Sequence, residues 1–482
     1  MLLATAPQIA CANQTPLQQA KLMKSVGAAA LLTCGPALIW FGLPAMAEAA
    51  RVSLIVFWCA TVAWTVLRLP DTPVAIAACL ALVGLQTVTP EAFYASLGDD
   101  LIWLLVGAFI LAAVLRQSGL AQRFALSAVS GSSSVRGLFY RLTAFIALTA
   151  FVIPSTSGRA ALLLPVFLAL AEVIDRPRIV RALALLFPTV ILLSACASLL
   201  GAGAHLVAVE FMRSSSGRDM SFTDWALLGT PFAAVSCLIA VELILRLFLT
   251  QDERSIAPDL PAPNTEKLSR HQINILLVTG STVVLWALGG LHGIDASLIA
   301  LGSALVATAS TITGVSMKQA MKSVEWNLIL FLAATLVMGQ ALISSGAARF
   351  AADAAAQALP ATFLSNQYAV AAFAAVVSVL AHLLITSRTA RATVLIPAVA
   401  LPLAAGGMDV AAVIFITVVG SGFCQTFSVS AKPVALFASQ GVLTYSEGDL
   451  IRLAGWLAPM TAALLAAFSV AVWPWLGFPL GR

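Results

Sequence analysis

Charge is what this sequence has least of. Only 10% of its 482 residues are Asp, Glu, Lys or Arg, against 60% hydrophobic, and the mean hydropathy is +0.98. A soluble chain carries about a quarter of its residues as charged ones, so a water-soluble globular fold is excluded. Histidine is as scarce, at four. No HExxH helix, paired-Asp site or Ser/His constellation of motif grade occurs, which argues against a membrane hydrolase or protease. There is no CxxC pair: Cys34, Cys59, Cys79, Cys196, Cys237 and Cys424 lie inside apolar segments, with Cys11 alone in the N-terminal tail. A disulfide framework is therefore not expected. His205 and His382 have none of the carboxylate or cysteine companions of a metal site and read as core histidines. No metal and no cofactor is expected.

What the chain does have is long apolar runs. Spans of about 20 residues fall near 25–43, 52–68, 72–90, 101–117, 182–200, 223–249, 272–290, 294–312, 325–343, 409–427 and 453–478. The fold class is therefore an all-α polytopic membrane protein with about eleven transmembrane helices. Two more apolar stretches, 140–175 and 367–404, are each broken in the middle, and neither half makes a comfortable span. They read as re-entrant hairpins. With this layout Lys21, Lys24, Arg116, Arg123, Arg254, Lys267, Lys318 and most other cations collect on one side, the positive-inside pattern of a cytoplasmic membrane protein with its N-terminus inside. The net charge of +5 thus marks topology, not a nucleic-acid partner. Residues 1–24 form a tail, 25–90 scaffold helices, 91–250 a first repeat, 251–271 a Pro-containing cytoplasmic linker and 272–482 the second half. The run ending at Leu43 followed by Pro-Ala-Met-Ala47 also fits a cleavable secretory signal. N-terminal sequencing of the purified protein checks this: a retained first span is expected, and a mature start at Glu48 would remove it.

The breaks carry the most information. Ser155-Thr-Ser-Gly-Arg-Ala-Ala-Leu-Leu-Leu-Pro165 returns 232 residues later as Ser387-Arg-Thr-Ala-Arg-Ala-Thr-Val-Leu-Ile-Pro397. Hydroxyls and arginines at such a depth cost several kcal/mol unless they have a function. Ser118-Gly-Leu-Ala-Gln-Arg-Phe-Ala125 likewise echoes Ser345-Gly-Ala-Ala-Arg-Phe-Ala351, and each hairpin is followed by a span with a Gly/Ser-rich break, at Gly201-Ala-Gly203 and at Ser421 to Lys432. An odd number of spans separates the copies, so two inverted-topology repeats are expected, with a binding site near the midplane.

These residues resemble the divalent anion/sodium symporter family of the ion transporter superfamily over roughly residues 50–480. That family's hairpins carry a Ser-Asn-Thr motif and a run ending in Pro. The resemblance implies an elevator-type carrier, usually a homodimer, for di- and tricarboxylates or sulfate. Both motif asparagines are replaced here, by Thr156 and Arg388. A guanidinium has no acceptor to offer sodium, and Arg159 resembles the arginine of the family's sodium-independent exchangers. Exchange is therefore favoured over sodium symport. Where relatives carry Thr-Pro-Pro-Asn, this chain has Ser430-Ala-Lys432-Pro433, adding a cation.

The expected site has Ser155, Ser157, Ser387 and Thr389 donating to the anion and Arg159, Arg388 and Arg391 supplying charge in bidentate fashion. Thr156, Gly201, Gly203, Ser430 and Lys432 complete it. Other readings stand beside these: snorkelling for Arg159 and Arg391, a cytoplasmic helix end for Lys432, close packing for the glycines, and an ion pair with Arg246 for Glu242. A sodium-coupled symporter and an anion channel are the alternative functions.

Overall fold

The computed structural model describes residues 16–174, 176–258, 260, 266–438 and 444–481. Most of the tail, the centre of the linker and the segment around Gly441 lie outside the described residues. Among those described, helix dominates, and the sole β contact is an isolated bridge between Met408 and Gly481. Six helices are long and apolar enough to cross a membrane: Pro90–Gln117, Thr156–Ile174, Pro177–Ala197, Phe222–Phe248, Trp326–Ser344 and Glu447–Leu476. Other expected spans carry shorter helices, such as Asp71–Gly84 and Ala296–Ala307. The run expected at 409–427 is helical only from Val410 to Gly420.

Both broken stretches fold as helix, tip and helix. In the first, Val135–Leu148 tightens into a 3-10 turn at Thr149–Phe151, and the chain restarts as Thr156–Ile174. Pro154 supplies the break, because a proline disfavours helical geometry in the residue before it. Ser155 then takes a left-handed backbone, φ +73°, a costly conformation for any residue but glycine. In the second, Gln367–Leu380 and the 3-10 turn Ala381–Leu383 lead to a tip and to Arg388–Leu395. Pro397 lacks the N–H for the next helical bond, and the backbone widens into a π turn over Ile396–Ala400.

The echo between Ser118-Gly119 and Ser345-Gly346 extends to atoms. Gly119 and Gly346 both adopt positive φ, +69° and +82°. The preceding serines accept from Leu120 N at 3.2 Å and Ala347 N at 3.4 Å. Each forms the same sharp corner before its hairpin.

After the hairpins come the interrupted helices. Pro177–Leu193 breaks through two 3-10 turns and resumes at Gly203–Ser216. The freed carbonyls find partners: Trp225 Nε1 donates to Cys196 O at 3.0 Å. Unsatisfied backbone at membrane depth costs several kcal/mol. Val410–Gly420 gives way to an irregular segment with a 3-10 turn at Ser428–Ser430, and helix resumes at Lys432–Ala438. Hairpins and interrupted helices share one large core. A second core joins Glu48–Thr65 and Asp71–Gly84 to Trp326–Ser344 and meets the second hairpin at Ala390 and Val394.

Gly229 is where the Phe222–Phe248 helix crosses the first break. A Cβ there would lie 1.9 Å from Cys196 O, a backbone atom that cannot rotate aside. Gly229→Ala is expected to destabilise the protein by about 1–3 kcal/mol through overpacking. Thermal melting of the purified variant checks this; an unchanged melting temperature would show that the helix pair has slack.

Candidate functional site

Both tips and both interruptions open onto one cavity of about 610 Å³, within the range of small-molecule sites. Its walls include Ser155, Thr156, Ser157, Gly203, Ser387, Arg388, Thr389, Ser430 and Lys432. The structure thus brings together nine of the expected residues from both halves. The opposite wall comes from Arg68–Pro73, where a short connection enters the Asp71–Gly84 helix, and from residues between Glu325 and Phe331 at the start of Trp326–Ser344. Thr72 Oγ1 donates to Asn327 O at 2.8 Å and ties the two pieces of that wall.

Among the helices that begin at the cavity are Thr156–Ile174, Arg388–Leu395, Gly203–Ser216 and Lys432–Ala438. A helix N-terminus presents unpaired N–H groups and about half a positive charge, which suits an anion. The two tips are capped alike. Ser155 Oγ accepts from Gly158 N at 3.2 Å, and Ser387 Oγ accepts from Ala390 N at 3.3 Å. Ser155 also donates to Glu325 Oε1 at 2.8 Å.

Of the three expected arginines, Arg388 is the one that reaches the cavity, which Arg68 also lines from the other wall. Its Nη2 lies 3.1 Å from His205 Nε2. His205 Nδ1 faces Ser198 O at 2.9 Å; a carbonyl only accepts, so Nδ1 carries the proton and Nε2 accepts from the guanidinium. The imidazole is fixed by stacking on Trp225, centroids 4.7 Å apart. Gly422 leaves room for the guanidinium, since a Cβ there would meet Arg388 Nη2 at 2.5 Å. The Nε and Nη1 donors of Arg388 are buried without a protein partner.

Three expected residues are placed elsewhere. Arg159 is fully buried and ties its own hairpin to the interrupted helix, bonded to Thr149 Oγ1 and Ile146 O of the one and to Ile191 O and Ser194 Oγ of the other at 2.6–3.0 Å. Arg391 is also fully buried, with Nη2 2.8 Å from Cys424 Sγ, one layer behind the cavity wall. Both arginines lie about one turn deeper than the tip serines, in the packed part of the bundle rather than at its cavity end. Gly201 packs against Ala195 O, which a Cβ would meet at 2.0 Å. That is the close-packing alternative.

Other readings resolve as well. Glu242 pairs with Arg246 at 2.6 Å and Arg136 at 3.1 Å. His382 is held by Val379 O and Thr426 Oγ1, both at 2.7 Å. Lys432 lines the cavity and does not merely close a span. Sequence reasoning missed Asp71 and Glu325, which read as ordinary helix starts, and missed His205 as the support of Arg388.

Comparison with known proteins places the chain among membrane transporters, not enzymes. The profile of the citrate transporter family matches residues 26–420. The chain belongs to that family, within the ion transporter superfamily. It is 30% identical over 323 residues to dicarboxylate transporter 1 of spinach chloroplasts, covering 62% of this chain and 55% of the relative. It is 25% identical over 223 residues to the sodium-dependent dicarboxylate transporter SdcS of Staphylococcus saprophyticus, covering 43% and 42%. The chain thus spans about half the length of these relatives. Among solved structures, the YdaH transporter of Alcanivorax borkumensis aligns with a TM-score of 0.56 at 18% identity, over 83% of this chain and 90% of that one, a likeness of fold.

Arg159→Ala would remove the guanidinium donor from Ile191 O in the interrupted helix and from Ile146 O, which keeps Thr149 Oγ1, and would open a cavity; a lost buried partner costs about 1–3 kcal/mol. The expected outcome is a sharp fall in melting temperature and in the amount of membrane-inserted protein. Normal melting together with altered ligand binding would instead return Arg159 to the site.

Proposed function

We propose that the protein is a secondary carrier of small carboxylates with two or three negative charges, working by sodium-independent exchange. The observation that carries this reading is that two serine-capped helix N-termini, one from each half, face one cavity beside the unpartnered donors of Arg388. The names of its relatives support a carboxylate substrate. Sulfate fits the same donors less well, because two separated tips match two separated carboxylates.

Coupling follows from charge. Arg388 and Lys432 add fixed cations to the helix dipoles, so the anion-free site is costly to carry across a membrane, and return is easiest with a second anion bound. Sodium has no evident role beside a guanidinium. The architecture proposed for this cycle is that of two inverted repeats with about eleven spans and two re-entrant hairpins. The unit of hairpins and interrupted helices slides as an elevator against a dimeric scaffold. The setting is a bacterial cytoplasmic membrane with the N-terminus inside.

The test is counterflow in proteoliposomes preloaded with labelled citrate or malate. External unlabelled anion should accelerate efflux equally in sodium and choline buffers. Equal efflux with and without external anion would sink exchange, and strict sodium dependence would favour a symporter of the SdcS kind. Flux that does not saturate would indicate a channel.

Arg388→Asn leaves the buried Nε2 of His205 without its donor, so a moderate fall in melting temperature is expected, together with citrate binding weakened by about 2–5 kcal/mol. Binding followed by ligand-induced thermal stabilisation checks it. Unchanged affinity would remove Arg388 from the site.

A further inference from the structure

Each tip serine faces a carboxylate supplied by the opposite half of the chain. Ser155, in the first half, donates to Glu325 Oε1 at 2.8 Å. Ser387, in the second half, lines the same cavity as Asp71, whose carboxylate interacts with the Ser387 hydroxyl and with the Lys432 charge. Neither carboxylate belongs to a hairpin. Asp71 opens the Asp71–Gly84 helix, and Glu325 immediately precedes Trp326–Ser344, two helices of the second core. All four residues line the one cavity. Glu325 Oε1 also lies 3.9 Å from the Cβ position of Gly158, over the N-terminus of Thr156–Ile174, where a carboxylate is favoured by the helix dipole. These two side chains satisfy the tips in the manner proposed for the substrate's carboxylates.

We infer that Glu325 and Asp71 act as an internal dicarboxylate, a lock that holds the two hairpin tips to the opposing wall and competes with the transported anion for the same hydroxyls. The inference rests on the carrier reading above and adds a source of specificity. A ligand with one carboxylate replaces only one of the two contacts, leaving the other tip tethered. A ligand with two, suitably spaced, replaces both and frees the hairpins from the wall. Selection for at least two carboxylates then comes from the number of tethers to be broken, besides the direct contacts.

The lock makes a counter-intuitive prediction: removing a polar residue from the cavity tightens binding. If only the unlocked fraction of molecules is competent, apparent affinity is lowered by that fraction. Glu325→Ala should therefore bind succinate more tightly, by about five- to tenfold, while its ligand-free melting temperature falls. Asp71→Asn should behave in the same direction, and Glu325→Gln, which keeps an acceptor for Ser155, should fall between.

Long-range repulsion between Glu325 and the ligand would also be relieved by alanine, so Glu325→Asp is the deciding variant. It keeps the charge and withdraws it by one methylene from Ser155 Oγ. The lock predicts tighter succinate binding in Glu325→Asp; repulsion alone predicts none. The measurement is succinate and butyrate titration of the purified full chain, read by thermal stabilisation. Butyrate should gain stabilising power in Glu325→Ala relative to the parent. Equal or weaker succinate binding in the alanine and aspartate variants, with the parent binding normally, would overturn the lock alone. Failure of the parent to bind succinate or citrate would overturn the carrier reading and the lock with it.

Discussion

Every feature of the site depends on one constraint: a helix interrupted inside hydrocarbon leaves polar backbone groups that nothing in the lipid can satisfy. This chain interrupts its helices four times and brings all four interruptions to one cavity. Serines cap the two tips, Trp225 covers a carbonyl of the first break, and Arg159 bonds to Ile146 O and Ile191 O beneath the first tip. Once the breaks are satisfied from behind, their remaining N–H groups are free to face a ligand. The buried arginine and the exposed serine are two ends of one solution.

The cavity is polarised as a result. Hydroxyls, helix N-termini, Arg388 and Lys432 stand on the side of the hairpins and interrupted helices, whereas both carboxylates, Asp71 and Glu325, stand on the other together with one cation, Arg68. Such an arrangement would be inert if the two walls were fixed together. It has chemical meaning if one wall moves relative to the other, because each contact across the cavity is then one that a ligand can replace. The first hairpin packs in the large core and the Asp71–Gly84 helix in the smaller one, whereas the second hairpin and Trp326–Ser344 contribute side chains to both.

Much of this was legible in the sequence, for identifiable reasons. The apolar runs, the positions of both tips and the repeated Ser-Gly corner follow from local rules of hydropathy, proline and glycine, and the family followed from the tip motifs. Arg159 and Arg391 were misplaced because a shared offset in two copies fixes register, not the direction a side chain takes within the bundle. Their symmetry is real, but it is a symmetry of supports. Glu325 and Asp71 were invisible for the opposite reason: an acidic residue starting a helix is common, and its partner across the cavity lies hundreds of residues away. His205 was read correctly as a bonded core histidine, yet what it bonds is Arg388, a contact between the two halves that no local pattern encodes.

The close fit of Gly422 beneath the Arg388 guanidinium bears on how such a site can change over generations. A side chain at 422 would press on the Val419 carbonyl, 2.9 Å from the same position, as well as on the guanidinium; the guanidinium can swing aside, whereas the backbone atom cannot. The glycine is therefore held by its own helix end whatever residue stands at 388. An arginine arising at the tip inherits a seat that backbone geometry had already cleared.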